Sequence, residues 1–215
     1  MYRLDTIIKL AEDLKLVKLV FSRYYNPMDS NSLYNHLERL SELLRTDLRK
    51  SGIEHGLQPV QLEVLHYLSV CNRYSDTPLA VSEYLGQTKG TVSQTIKVLE
   101  QKGLLLRRTD AEDKRVSHLA LTPRGSKLLD RLVPPPMLTN ASDKLPEKSR
   151  IQINQALQQL VLALLQSNGM KSFGVCRTCR YNGRSKDGGY YCNLIKQALT
   201  VDDVERLCRE HETAA

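Results

Sequence analysis

Between Leu79 and Thr122 the hydrophobic period of the chain changes twice, and few folds accept that order. Leu79 to Leu85 reads as a short helix, Gly86-Gln87 as a turn, and Thr88 to Lys102 as a second helix with Val92, Ile96 and Leu99 on its inner face. Gly103 stops that helix, because glycine takes up the left-handed conformation without a Cβ penalty. Leu104 to Arg107 is apolar enough for a strand, Asp110 to Lys114 is a polar loop, and Val116, Leu119 and Leu121 mark a return strand. Thr122 then caps a further helix that carries Pro123 in its first position. Helix, turn, helix, two-stranded ribbon, helix is the layout of a winged helix-turn-helix, whose second helix is shaped to enter a DNA major groove.

The flanking segments are helical as well. Leu4, Ile7, Ile8, Ala11, Leu14, Val17 and Phe21 predict an N-terminal amphipathic helix, and Leu33, Leu37, Leu40 and Leu44 a second that closes near Gly52. Pro59 opens a helix that Leu62, Leu65 and Leu68 carry to about Asn72. Pro134-Pro135-Pro136 ends the helix begun at Pro123, since each ring removes an N–H, and a polar loop should follow. Ile153, Leu157, Leu160, Val161 and Leu164 define one more helix, from Ile151 to Gln166, closed by Gly169. Leucine dominates the 41% hydrophobic share, Trp is absent and there are two Phe, which favours helices over sandwiches. The expected fold class is mainly α (α+β).

The outer face of the second helix carries Thr88, Lys89, Gly90, Thr91, Ser93, Gln94 and Lys97. Gln pairs with adenine through both edge groups, and Ser or Thr bonds bases or phosphates. Gly90 costs roughly 1 kcal/mol against Ala in a helix, a cost that close approach to a DNA backbone would explain. From Thr88 to Arg131 there are ten Lys or Arg against five Asp or Glu, most of the whole chain's +7. Arg107 and Arg108 leave the first ribbon strand, and Lys114 and Arg115 sit at the far side of the loop, where Arg115 can reach a minor groove. These eleven residues are the expected DNA-binding set.

The run from Gly90 to Leu104 resembles the recognition helix of the MarR family of regulators. The run Asp113-Lys114-Arg115-Val116-Ser117-His118-Leu119-Ala120-Leu121-Thr122-Pro123-Arg124-Gly125 resembles that family's wing and the start of its next helix. The resemblance spans roughly Leu33 to Gln166. It implies a homodimer with interlocked terminal helices, a palindromic double-stranded DNA operator, and repression often relieved by a small-molecule effector or by oxidation. The added N-terminal helix and the triple proline depart from the family pattern. The expected organisation is a helical extension over residues 1–30, a MarR-like winged-helix DNA-binding and dimerisation domain over 31–168, and a Cys-rich metal-binding tail over 169–215.

In that tail Cys176, Cys179, Cys192 and Cys208 form C-x2-C-x12-C-x15-C. A C-x2-C turn sets two thiolates on one side of a metal, and two more close a tetrahedral site. Four thiolates suit zinc or a [4Fe–4S] cluster, and both stay open. Arg177, Arg180, Arg184 and Lys186 are placed to offset the charge of such a site, and His211 is a substitute ligand or a solvated residue. Cys71 reads as a core residue, and His36, His55, His66 and His118 as structural.

Enzyme signatures are missing: no G-x-S-x-G, phosphate loop, dinucleotide fingerprint or H-E-x-x-H occurs. The competing functions are a metal-dependent redox enzyme working through Cys176 and Cys179, and a winged helix that binds protein. The two distant cysteines weigh against the first, the polar helix face and basic window against the second. No apolar run approaches the ~18 residues of a membrane span, and the charged N-terminus is unlike a signal peptide. The expectation is a cytoplasmic regulator without membrane association.

Overall fold

The computed structural model describes residues 30–213. The helix expected over Leu4 to Phe21 lies outside them. The chain divides into two compact units, residues 1–47 and 48–215. Helix α1 (Ser30–Glu54) begins in the first and ends in the second. The described part of the first unit is wholly helical.

The second unit is built around α2 (Pro59–Val70). Leu62, Val64, Leu65, Tyr67 and Leu68 are all buried, so this helix is apolar around most of its circumference, as a central helix must be. Its start is fixed by Pro59 in the first turn and by Gln61, whose side chain accepts from the Gln58 N–H at 3.1 Å. Around it stand α3 (Pro78–Leu85), α4 (Lys89–Gln101), the antiparallel ribbon β1 (Leu105–Thr109) and β2 (Ser117–Leu121), and α5 (Pro123–Leu132). Leu57, Val81, Val92, Ile96, Leu99, Leu105, Leu119 and Leu129 complete one core. Thr122 joins the ribbon to α5. Its hydroxyl accepts from Gly125 N–H and donates to the Gly103 carbonyl. Gly125 is obligatory there, because a Cβ would stand 2.1 Å from the Leu104 carbonyl oxygen.

Two local expectations are corrected. Strand β1 begins at Leu105 and runs to Thr109, because the Leu104 N–H is engaged by the Leu99 carbonyl at the end of α4. The polar loop expected after the triple proline is largely a helix, α6 (Pro136–Asp143). Pro136 occupies its first position, where a missing N–H costs nothing. Helix α7 (Glu147–Ser167) then starts one turn earlier than its apolar pattern indicates. None of its residues is buried. Ile151, Ile153, Leu157, Val161 and Leu164 are between 41% and 52% exposed. No described helix is long and apolar enough to cross a membrane.

The tail folds into a 3-10 turn (Cys176–Thr178), a three-stranded antiparallel sheet of β3 (Asn182–Arg184), β4 (Tyr190–Cys192) and β5 (Gln197–Leu199), and a short helix α8 (Val201–Val204). Its own core is small: Cys176, Leu199 and Val204, with Tyr74, Tyr190, Cys192 and Cys208 at the edge. The segment is joined to the body through backbone. Leu207 donates to the Val70 carbonyl and accepts from Asn72, both at 2.9 Å. Phe173 enters the main core, edge-on to Tyr67 and Tyr84 with ring centroids 6.1 and 5.2 Å away.

Candidate nucleic-acid interface and the cysteine cluster

The helix-turn-helix is α3 and α4, and each end of its turn has a visible cause. Gly86 ends α3 with φ +61°, a conformation that costs glycine nothing. Across the turn Gln87 N–H donates to the Ser82 carbonyl, and the Ser82 hydroxyl donates back to the Gln87 carbonyl at 2.6 Å. Thr88 caps α4 by accepting from Thr91 N–H at 3.1 Å.

Val92, Thr95, Ile96 and Leu99 pack inward. Thr88, Lys89, Gly90, Thr91, Ser93, Gln94 and Lys97 are all exposed, so helical periodicity leaves six polar residues and Gly90 off the packed side. Thr88 has a prior duty as the cap, and its hydroxyl also lies 3.0 Å from that of Thr91. A Cβ at Gly90 would meet only the Thr88 hydroxyl, at 3.8 Å. Packing within the chain therefore does not require glycine there.

In the ribbon Arg107 lies opposite Leu119 and 3.5 Å from Glu100, and Arg108 opposite His118. Lys114 and Arg115 are exposed in the loop beyond. The Arg115 side chain, 90% exposed, is oriented by two hydrogen bonds of 2.9 Å to Asp113.

One device at the ribbon was not foreseen. His118 bridges two carboxylates, with Nδ1 2.5 Å from Asp76 and Nε2 3.1 Å from Asp110. Asp110 holds the loop through the N–H groups of Glu112 and Asp113, while the Asp76 carbonyl accepts from Leu119 N–H at 2.8 Å. Burial disfavours charge on His118, but the hydrogen bonds and charges of Asp76 and Asp110 outweigh it and hold the imidazole above its ordinary pKa. Burial pushes the Asp76 carboxyl up despite His118, while the loop N–H groups hold Asp110 down. His118 and Asp110 are visible in the wing sequence, but nothing in that stretch indicates Asp76, 42 residues away.

The four cysteines Cys176, Cys179, Cys192 and Cys208 line one small cavity of about 40 Å³, together with Leu194, Leu199 and other apolar side chains. Asn182 spans the C-x2-C turn, donating to the Cys176 carbonyl at 3.0 Å and lying 3.7 Å from its sulfur. Among the described residues no three His, Cys, Asp or Glu side chains are placed to hold a single metal ion. His211 is neither solvated nor turned to the thiols. It is buried, with ring nitrogens 2.7 and 2.9 Å from the Ser172 and Thr178 hydroxyls. Three of the basic residues expected to offset the thiolates have partners of their own. Arg177 pairs with Glu205 and Arg180 with Glu212, while Arg184 lies 3.8 Å above the Tyr190 ring. Cys71 is a core residue, its thiol pushed up to about 12 by burial.

A second cavity, about 700 Å³, opens between α3, α7 and the start of the tail. Tyr84, Val161, Leu165, Met170 and Phe173 form its apolar walls, with Lys171 and Glu83 at the edge.

Helix-turn-helix, ribbon and flanking helices define a winged-helix protein. A model of the MarR family matches residues 55–116. Solved structures with the same fold include a Staphylococcus aureus MepR–DNA complex, at 25% identity over 61% of this chain and 97% of that chain, TM-score 0.50. Another is S. aureus MepR in its DNA-binding conformation, at 25% identity over 61% and 98%, TM-score 0.53. A MarR transcriptional regulator from Methanosarcina mazei Go1 shares the fold at 22% identity over 64% and 99%, TM-score 0.53. The family match and the structural likenesses agree on a MarR-type winged helix.

Proposed function

We propose that this protein is a sequence-specific double-stranded DNA-binding transcription regulator, a repressor acting in the cytoplasm as a homodimer. The carrying observation is the exposed face of α4, which groups two hydroxyls beyond the cap, an amide and two amines on a helix displayed by a capped turn. Gln94 is the base-reading residue and Lys89 and Lys97 are phosphate contacts. Gly90 admits the DNA backbone, and Arg107, Arg108, Lys114 and Arg115 follow the flanking groove. The likeness to MepR, one structure of which is a DNA complex, supports the same reading.

The apolar stripe of α7 supports the dimer. Five large aliphatic side chains half open to water are an unstable arrangement for a lone chain, and a twin chain would cover them. Such a dimer presents two recognition helices to a palindromic operator about one DNA turn apart. The cavity beside Tyr84 and Phe173 suits an apolar small-molecule effector. The four thiols are proposed to carry one metal centre that orders the tail.

The direct test is binding of the full chain to a selected and a random duplex across a salt series. The expected result is a steep loss of affinity with salt on both, and tighter binding to the selected duplex. Binding that ignores salt, or none at low salt, would end the proposal.

A further inference from the structure

We propose that the four thiols hold a [4Fe–4S] cluster, and that this cluster governs the wing by fixing the loop between α2 and α3. The second half rests on the DNA-binding reading above.

The choice of cluster over single ion comes from spacing and room. A tetrahedral zinc site with Zn–S near 2.3 Å draws its sulfurs to roughly 3.8 Å from one another. No described trio of ligand side chains is gathered in that way, yet four thiols share the wall of one cavity. A single water needs roughly 10–15 Å³ of such space, so a cavity of about 40 Å³ takes more than one atom. A cuboidal cluster binds one thiolate at each iron and keeps the sulfurs apart. Its apolar walls match the dry shell such clusters occupy. Backbone hydrogen bonds already draw two of the cysteine-bearing segments together: Cys176 N–H donates to the Arg206 carbonyl, and Cys208 N–H to Gly174.

The coupling comes from what Cys208 touches. Asn72, in the loop that feeds the helix-turn-helix, shares the cavity wall with Cys208, and Ser75 of the same loop is bonded to the residue that follows Cys208. The Ser75 hydroxyl accepts from Arg209 N–H at 2.9 Å, and Arg209 grips Glu83 of α3 through two bonds of 2.7 and 2.6 Å. The next residue, Asp76, holds the wing through His118 and Leu119. Cluster, Cys208, its neighbour Arg209, Ser75, Asp76 and His118 thus form a continuous path to the DNA-reading ribbon. The tail's own core is three residues wide, so the hold on Cys208 and Arg209 rests on their bonds to the body and on the cluster together. Loss of the cluster therefore frees the loop, and the wing loosens with it.

The test uses the full chain, purified anaerobically and supplied with iron and sulfide, then stripped by a chelator. About four irons and about four acid-labile sulfides per chain are expected, with broad visible absorption. Zinc without sulfide would overturn the cluster, and no bound metal would overturn the site. Backbone amide exchange over residues 110–118 should be about tenfold slower in the loaded chain. Ser75→Ala, which keeps all four thiols, should retain the iron and lose most of that difference. Equal exchange with and without the cluster, or a full response in Ser75→Ala, would overturn the coupling. If the wing responds but neither form binds any duplex, the DNA reading fails and the coupling stands.

Discussion

Helix α4 and the cysteine-lined cavity bring their proposed functional side chains together by opposite routes. From the cap of α4 to Lys97 six polar residues and Gly90 span ten positions, and helical periodicity alone leaves them open while Val92, Ile96 and Leu99 hold the other side against the core. At the cluster, residues from a 3-10 turn, a strand end and the segment after α8 meet only because the sheet and two backbone hydrogen bonds fold them back. The first site depends on local order and on a large shared core. The second depends on long-range contacts around a three-residue core. Damage to the helix face should therefore spare stability and change binding, whereas damage to the tail's attachment should lower stability first and reach binding only through the wing.

The sharpest way to break that contrast is Phe173→Ala. Phe173 is 8% exposed and belongs to the main core, so its loss should cost about 3–5 kcal/mol of stability in a denaturant titration. A loss below about 1 kcal/mol would mean that the tail is an appendage. Next in size is Gln94→Ala, expected to cost about 1–3 kcal/mol on the preferred duplex and to relax one base position, with the denaturation midpoint unchanged. Equal affinity of variant and parent for both selected and random duplexes would remove Gln94 from the groove.

These two predictions fall on either side of what the sequence discloses. The winged-helix order, the caps at Thr88 and Thr122, and the inward residues of α4 follow from local chemistry: period, hydroxyl placement and proline at a first turn. The helix after the triple proline was missed because proline reads as a stop, although it also starts helices well. Phe173 lies among polar and glycine residues with no period to mark it, and its place in the core is set by Tyr67 and Tyr84, about a hundred residues earlier. The Asp76–His118 contact and the Arg209–Glu83 clamp span 42 and 126 residues, and no local pattern encodes either. The C-x2-C-x12-C-x15-C spacing announces four thiols. That they share a cavity, and that His211 turns away from it, is information only the fold holds.

Smaller effects sharpen the wing's part. Arg115→Ala should lower the salt slope of binding by about one unit with little change in base preference, since a phosphate or groove contact replaces its Asp113 partner on DNA. An unchanged slope would take Arg115 out of the interface. The His118 bridge predicts a modest pH effect. Its folded-state pKa is raised above that of the unfolded chain, so its stabilisation is complete below about pH 6.5 and fades as pH rises through the folded value. Protection of the amides over residues 110–118, taken relative to their intrinsic exchange rate at each pH, should fall across that range. A His118 resonance titrating at or below the ordinary histidine value would contradict the bridge.

The central claim is that the exposed face of α4 reads base sequence as one half of a symmetric pair. Selection of duplexes from a random pool by the full chain, followed by footprinting, tests it most directly. The predicted result is an inverted repeat with half-site centres about 10 base pairs apart, protected by a dimer. Enrichment of no sequence at all, or of a single asymmetric site bound by one chain, would contradict it.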